Sequence, residues 1–358
     1  MQHKLTKSAL LAAAVVSFSL GSGHCWDQLG SFKYNSHSVI TTDAVLGANK
    51  TLRSSRKNEL DKWSENLYDR VVPRILTEDP APMGVQELAG GFYPEKHLDD
   101  GTGRTLNRLQ QGNTAADWPV KLSIGADFLR NAYCRFQSRQ LGVTLTSEEC
   151  NKLPNIGIGM TVHFTREYKE IPNRAPALMS AGDSCRKSVA TVRALTKQAF
   201  AYWKHARTNK NNIALEMREY ELMYFFLGVA SHAIEDSFAP AHMQRDIRNP
   251  KTITDVCYYY DNNILPPTRA RACAHALGAG NERRDSIYFT GDTEFPQSNL
   301  AYRSLATQAA QAYLTGFANV ALDTVNGTNP SMDAFLDKFL LTGTEPGMGY
   351  FNCATLTN

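Results

Sequence analysis

The sequence predicts an all-α protein, and three observations favour this fold class. In several long segments, apolar residues recur at three- and four-residue steps, as the buried face of a helix requires. Alternation of apolar and polar residues, which is typical of a half-buried strand, is scarce. The chain has 358 residues, of which 42% are hydrophobic, so it can bury a large core. We therefore expect one multi-helix domain over residues 26–358, with loop insertions held by disulfides.

Residues 1–25 predict a secretory signal peptide. Lys4 and Lys7 precede the apolar run SALLAAAVVSFSL, and the small-residue stretch GSGHC follows it. The apolar run is too short for a permanent membrane anchor, and a buried N-terminal helix is the alternative interpretation. We expect the chain that remains after removal of residues 1–25 to be secreted or periplasmic.

Amphipathic periodicity predicts the helices of the domain in chain order. The segments are RKNELDKWSENLYDRVV from Arg56, SVATVRALTKQAFAYWKHAR from Ser188, IALEMREYELMYFFLGVASHAIEDSF from Ile213, LAYRSLATQAAQAYLTGFANVALDTV from Leu300 and MDAFLDKFLL from Met332. Residues 80–115 and 245–295 are rich in Gly, Pro, Asn and Asp, which predicts loops or insertions. The main insertions are expected near residues 119–162 and 243–274.

The cysteines predict disulfides. Seven are present, and cleavage after Cys25 leaves six, an even number that indicates pairing in an exported chain. A zinc-thiolate site is the alternative, although the chain has no C-x-x-C pair. Pairing of sequence neighbours gives the expected bridges Cys134/Cys150 and Cys257/Cys273, which leaves Cys185/Cys353.

The stretch FLGVASHAIEDSFAPAH carries the first candidate metal ligands. His232 and Asp236 are four residues apart in a helical segment, so their side chains share one face. Pro240 cannot continue the helix, and a turn there can bring His242 back to the same place. An ionised Asp236 in such apolar surroundings is expensive unless a cation compensates it. The motif alone leaves two interpretations open, a metal site and a set of structural hydrogen bonds.

Four short segments carry a family resemblance. They are WDQLGSFKYNSH with Trp26 and His37, QQGNTAADWP with Asp117, MTVHFTRE with His163, and FFLGVASHAIEDSFAPAH with His232, Asp236 and His242. In this order they resemble the bacterial zinc-dependent phospholipases C, which share a fold with the fungal zinc nucleases that cut single-stranded nucleic acid. Val162 replaces a serine of the family pattern.

The resemblance implies a cluster of about three Zn²⁺ ions held by histidines and carboxylates. Grouped by zinc, the implied ligands are Asp117, His163, His232 and Asp236 for the first; Asp236, His37 and the Trp26 terminus for the second; and His242, His275 and either Glu282 or Asp285 for the third. The last carboxylate stays open because Ala279 stands where the family has its glutamate.

The implied reaction is hydrolysis of a phosphatidylcholine-like phospholipid at a membrane surface, giving diacylglycerol and a phosphorylated headgroup. Asp117 would also orient or deprotonate the attacking water. Trp118 follows it and would contact the headgroup through a cation-π interaction, with a packed core tryptophan as the alternative. Leu29 and Met160 replace an acidic and an aromatic residue of the family's headgroup pocket.

Two other functions remain as alternatives. The first is a zinc-dependent single-strand nuclease or phosphodiesterase. In the nucleases the first tryptophan and histidine are about five residues apart, whereas His37 comes eleven positions after Trp26. The net charge of +3 is small and the basic residues are scattered, so no nucleic-acid partner is expected. The second is a non-enzymatic zinc-binding surface protein. Nothing in the sequence implies a stable protein partner.

Overall fold

The structure, a computed structural model, describes thirteen stretches of the chain. They are residues 37–56, 102–117, 127–146, 161–166, 168–169, 177–209, 211–239, 242–246, 249, 251–256, 296–328, 330–342 and 349–356.

Seven α-helices dominate this described part. They are α1 (His37–Ser55), α2 (Thr102–Asp117), α3 (Asp127–Leu141), α4 (Ala181–Thr208), α5 (Ile213–Asp236), α6 (Pro296–Val325) and α7 (Met332–Asp337). A π-helix, Lys338–Thr342, and a 3₁₀ turn, Cys353–Thr355, follow. Helix makes up 76% of the described residues, which confirms the all-α prediction at the level of fold class.

Helix α5 lies at the centre of the fold. It packs against α4 and α2 along most of its length and also contacts α6, α1 and α3. Every residue from Leu222 to Ala239 is buried, so no face of the C-terminal part of α5 meets solvent. Asn212 caps the exposed start of the helix, where its side chain accepts a hydrogen bond from the Leu215 N–H. The unbroken apolar run before His232 thus places the end of α5 deep in the core.

Two glycines allow α2 and α5 to approach closely. A Cβ atom at Gly112 would lie 1.9 Å from the carbonyl oxygen of Phe225, and one at Gly228 would lie 1.9 Å from that of Leu109. Any side chain at either position would therefore force the helices apart. Gly112 immediately precedes Asn113, and Gly228 lies one turn before His232. The close contact is thus next to the histidine that the sequence singles out.

The sheet content is small. Antiparallel pairs join β1 (Tyr168–Lys169) to β2 (Ala177–Leu178), and β3 (Met243–Arg245) to β4 (Ile253–Val256). The second pair starts directly after the turn that follows α5, and its residues Met243, Ile253 and Val256 are buried in the core. Its register shifts between Gln244 and Arg245.

The C-terminal segment is attached to the start of α4 by a disulfide. Cys185 is bonded to Cys353, 168 residues later, with a Cα–Cα distance of 5.7 Å. This confirms the predicted Cys185/Cys353 pair. Cys134 is also disulfide-bonded. Its expected partner Cys150 and the pair Cys257/Cys273 lie outside the described residues.

The helix predictions from Ser188, Ile213, Leu300 and Met332 are confirmed by α4, α5, α6 and α7. The prediction of a loop over residues 80–115 is wrong for its last part, because α2 occupies residues 102–117. Helix α3 lies within the predicted insertion 119–162 and places Phe136 edge-on against Phe226 of α5. The predicted helix from Arg56 lies almost entirely outside the described residues. Among the described helices, none combines the length and the apolar character that crossing a membrane requires.

Candidate metal centre

Three separate segments bring histidines to the end of α5. His37 is the first residue of α1, His163 belongs to the short turn of residues 161–166, and His232 lies one turn before Asp236 on α5 itself. The side chains of His37, His232 and Asp236 are almost completely buried, and that of His163 is 11% exposed. Residues that are far apart in sequence therefore converge on one carboxylate.

The two oxygens of Asp236 face different histidines. Oδ1 lies 3.1 Å from His37 Nε2, while Oδ2 lies 2.7 Å from His163 Nδ1 and 2.9 Å from His232 Nε2. The rings of His37 and His232 are stacked with their centroids 4.1 Å apart. His37, His232 and Asp236 each offer a ligand atom, and these atoms lie within 4.8 Å of one another. The group can hold a metal ion.

Hydrogen bonding is incomplete at this point of the cluster. Within the described part of the chain, neither His37 Nε2 nor Asp236 Oδ1 makes a hydrogen bond of normal geometry, and the two atoms meet in an ion-pair contact of 3.1 Å. Buried polar atoms without partners are costly and rare. Two such atoms that face each other, one nitrogen and one carboxylate oxygen, form a donor set that suits zinc. The residues present therefore fit a metal ion.

Electrostatics favour a cation here. Burial opposes ionisation of Asp236, but the charges of His232 and His37 and hydrogen bonds from His163 and His232 outweigh it and lower the pKa of Asp236 well below its ordinary value. Burial also opposes charge on His37, yet Asp236 and Glu235 raise the pKa of His37 to about 10. The cluster thus stabilises positive charge next to an ionised Asp236.

His242 lies beside the cluster as a neutral imidazole. Helix α5 ends at Asp236, and the turn that follows is closed by hydrogen bonds from the backbone N–H groups of Ala239 to Asp236 and of His242 to Ala239. The ring of His242 then lies 5.8 Å from that of His163, centroid to centroid. Burial lowers the pKa of His242 to about 3, and the backbone of His163 offsets only part of this effect.

Both ring nitrogens of His242 lack a side-chain or backbone hydrogen bond of normal geometry in the part of the chain that the structure describes. A neutral buried imidazole with an available lone pair is the form of histidine that binds metals. His242 is therefore a candidate ligand of a neighbouring ion.

The backbone next to His163 is strained. Phe164 has φ of +49°, the left-handed region that non-glycine residues rarely adopt. Its ring is buried and packs against Phe351 with a centroid distance of 5.6 Å. The packing of Phe164 compensates for the strained backbone, and the resulting turn directs His163 towards Asp236.

A second layer of polar side chains lies behind the histidines, and no sequence motif indicates it. Glu235 Oε2 lies 2.6 Å from His37 Nδ1, and Asn113 Oδ1 lies 3.2 Å from His232 Nδ1. Asn113 also donates to Glu235, and Thr41 donates to the other Glu235 oxygen. All of these residues are buried. The one available sequence signal was a second acid, directly before Asp236, at the end of an apolar helix.

The structure thus brings together His37, His163, His232, Asp236 and His242 from the predicted ligand set. Asp117 is the last residue of α2, four positions after Asn113, and its side chain lies outside the described residues. The remaining predicted site residues, also outside the described stretches, are Trp26, Trp118, His275, Glu282 and Asp285.

Comparisons of the chain with protein-family models, with curated proteins and with solved structures find no match. The resemblance to zinc phospholipases C therefore rests on the four sequence segments. The candidate metal centre rests on the positions of the buried histidines and Asp236 in the structure.

Proposed function

We propose that the protein is a secreted or periplasmic zinc-dependent phospholipase C, which hydrolyses the phosphodiester bond of a phosphatidylcholine-like lipid. The observation that carries this proposal is the convergence of His37, His163 and His232 on the two oxygens of the buried Asp236. Histidine nitrogens and carboxylate oxygens without cysteine are typical of hydrolytic zinc sites. The order of the four family-like segments along the chain supports the same activity.

The orientation of Asp236 supports a bridging role. Its Oδ1 is directed to His37, whereas Oδ2 is directed to His163 and His232, so the carboxylate divides its oxygens between two sets of histidines. In the proposed enzyme, His163, His232 and Asp236 would hold one zinc together with Asp117. His37 and Asp236 would hold a second zinc together with the Trp26 terminus. His242 would contribute to a third, with His275 and either Glu282 or Asp285.

Zinc supplies a Lewis acid that activates water near neutral pH and neutralises charge on a phosphoryl group. The chain itself supplies the rest of the chemistry. Asp117 orients the attacking water and accepts its proton. Trp118 would contact the headgroup through a cation-π interaction.

Asp117→Asn tests the assigned mechanism. The amide keeps the shape of the side chain but cannot accept a proton, so we expect hydrolysis of phosphatidylcholine vesicles to fall by roughly 10²–10⁴-fold while the helical circular dichroism is unchanged. The surface variant Asp333→Asn is the matched control and should keep full activity. Full activity in Asp117→Asn would show that the mechanism is wrong.

A competition assay tests the substrate class. Purified enzyme is offered phosphatidylcholine vesicles and single-stranded DNA together, and release of phosphocholine and of nucleotides is followed. We expect lipid cleavage that a chelator abolishes. Cleavage of DNA alone would replace the proposal by a nuclease. Zinc bound without cleavage of either substrate would leave a non-enzymatic zinc-binding surface protein.

The disulfide supports the proposed location. Bonds such as Cys185–Cys353 persist in oxidising compartments and are rare where thiols are kept reduced. Sequencing the amino terminus of the exported protein and measuring its metal content test the proposal directly. We expect a chain that starts at Trp26 and binds about three zinc ions.

A further inference from the structure

We propose that Glu235, acting directly and through Asn113, is a positioning residue that holds His37 and His232 in the tautomer whose Nε2 atoms face Asp236. This inference rests on the proposed metal site, because it concerns how the ligands of that site are oriented. The family-like segments do not assign a role to either residue.

The contact with His37 determines which of its nitrogens can bind a metal. Glu235 Oε2 accepts from Asn113 and Oε1 accepts from Thr41, so the proton of the 2.6 Å contact between Glu235 Oε2 and His37 belongs to Nδ1. In the neutral imidazole the lone pair is then at Nε2. That atom lies 3.1 Å from Asp236 Oδ1. Glu235 therefore presents the ligand nitrogen of His37 to the metal site.

The contact with His232 is set through Asn113. The amide nitrogen of Asn113 lies 3.0 Å from Glu235 Oε2 and 3.1 Å from Thr41 Oγ1. If the amide were flipped, its oxygen would face the Glu235 carboxylate and two acceptors would repel each other. The carboxylate thus fixes the amide with Oδ1 towards His232 Nδ1, 3.2 Å away. His232 must carry a proton on Nδ1, so Nε2, 2.9 Å from Asp236 Oδ2, is the nitrogen that can release its proton and bind a metal ion.

Glu235 is not itself placed to bind a metal ion. His37 and Asn113 donate to Oε2, and Thr41 donates to Oε1 at 2.8 Å, so both oxygens already have donors. A second buried carboxylate next to Asp236 is costly unless it is fully hydrogen-bonded. Three donors from two other helices meet this requirement. Such outer partners orient metal-binding imidazoles and strengthen them as ligands.

Cobalt(II) binding to the metal-depleted full chain tests the proposal, because cobalt reports ligand geometry through its visible spectrum. The variants are Glu235→Ala, which removes the acceptor, and Glu235→Gln and Thr41→Val, which preserve shape. Glu219→Gln is the matched control, since Glu219 is a buried glutamate on the same helix that lies near His205 instead of the cluster.

We expect cobalt affinity, measured by competition with a chelator, to fall by about 10–100-fold in Glu235→Ala. The loss should be smaller in Glu235→Gln and Thr41→Val, the visible bands should shift in all three, and Glu219→Gln should match the wild type. If Glu235→Ala does not fold, the two shape-preserving variants decide the same question.

Wild-type affinity and an unchanged spectrum in the Glu235 variants would overturn this inference alone, even if the variants melted at a lower temperature. A wild-type chain that binds neither cobalt nor zinc would overturn the metal site and the inference together. The two failures are therefore distinguishable.

Discussion

Asp236 is the residue on which the three histidines of the candidate site converge. It is completely buried and ionised, and nitrogens of three histidines lie within 3.1 Å of its oxygens. In this position, only cations and hydrogen bonds can compensate a carboxylate for the loss of its hydration. The histidines supply both, and a metal ion would supply charge at the two atoms that lack hydrogen-bond partners.

Replacing Asp236 by asparagine should remove metal binding. Asparagine keeps the shape of the side chain but loses the charge and one acceptor oxygen, so it could not offer an oxygen to each of two zinc ions. We expect the zinc content of the purified variant to fall close to zero, as measured by elemental mass spectrometry. The exposed Asp333→Asn variant should retain wild-type zinc. An Asp236→Asn protein with unchanged zinc content would contradict the proposed bridge.

The histidines of the candidate site were predictable from sequence, whereas the residues that support them were not. His232 and Asp236 have the four-residue spacing of one helix face, and His242 follows a proline that stops the helix. His37 and His163 came from the family resemblance. Glu235 and Asn113 have no motif of their own, because their role depends on how α1 and α2 pack against α5. Packing contacts of this kind are not encoded in local spacing.

At the scale of elements, the contact between α2 and α5 positions the site. Gly112 and Gly228 let the helix backbones approach so closely that Asn113 reaches both His232 and Glu235. The same feature explains why α2 was missed in the sequence. Apart from Leu109, its buried face consists of small and polar residues such as Gly112, Asn113 and Ala116, so it lacks the run of large apolar residues from which the other helices were predicted. Helices α4 and α5 bury larger side chains and were predicted.

Gly112→Ala should therefore weaken both the fold and the site. The new methyl group would lie 1.9 Å from a backbone oxygen of α5, and backbone cannot swing aside. We expect the free energy of unfolding in urea to fall by about 1–3 kcal/mol and cobalt affinity to fall with it. Gly47→Ala is the control, because its Cβ meets only the end of the Gln311 side chain, and its stability should change by less than about 1 kcal/mol.

An exposed ion-pair cluster joins α4 to α7, and its contribution to stability should depend on pH. Lys197 and Arg193 lower the pKa of Asp333 through hydrogen bonds and charge. Because the folded pKa is depressed, this contribution is present above the ordinary carboxyl pKa and is lost as the pH falls through the folded value. We expect Asp333→Asn to lower Tm by at most about 2 °C at pH 7, with the difference vanishing in acid. A difference that grows on acidification would contradict this assignment.

At the scale of the whole molecule, the C-terminal segment packs against the segments that carry the site residues. Tyr350 accepts a hydrogen bond from Arg245 through its carbonyl oxygen, and Arg245 in turn donates to the carbonyl of Ser237 in the turn after α5. Phe351 packs against Phe164, next to His163. The last described residues of the chain thus contact both segments that deliver His163 and His242 to the cluster.

The Cys185–Cys353 disulfide fixes this segment to α4, and its removal should weaken metal binding at the candidate site. Because the bridge closes a loop over 168 residues, the double variant Cys185→Ser/Cys353→Ser should lose on the order of 4 kcal/mol of unfolding free energy, through the greater freedom of the unfolded chain. Release of Tyr350 and Phe351 should also loosen His163 and His242. We therefore expect lower cobalt affinity in titrations, together with a lower urea midpoint. A lower midpoint with wild-type cobalt affinity would show that the disulfide stabilises the fold without supporting the site, and an unchanged midpoint would contradict both expectations.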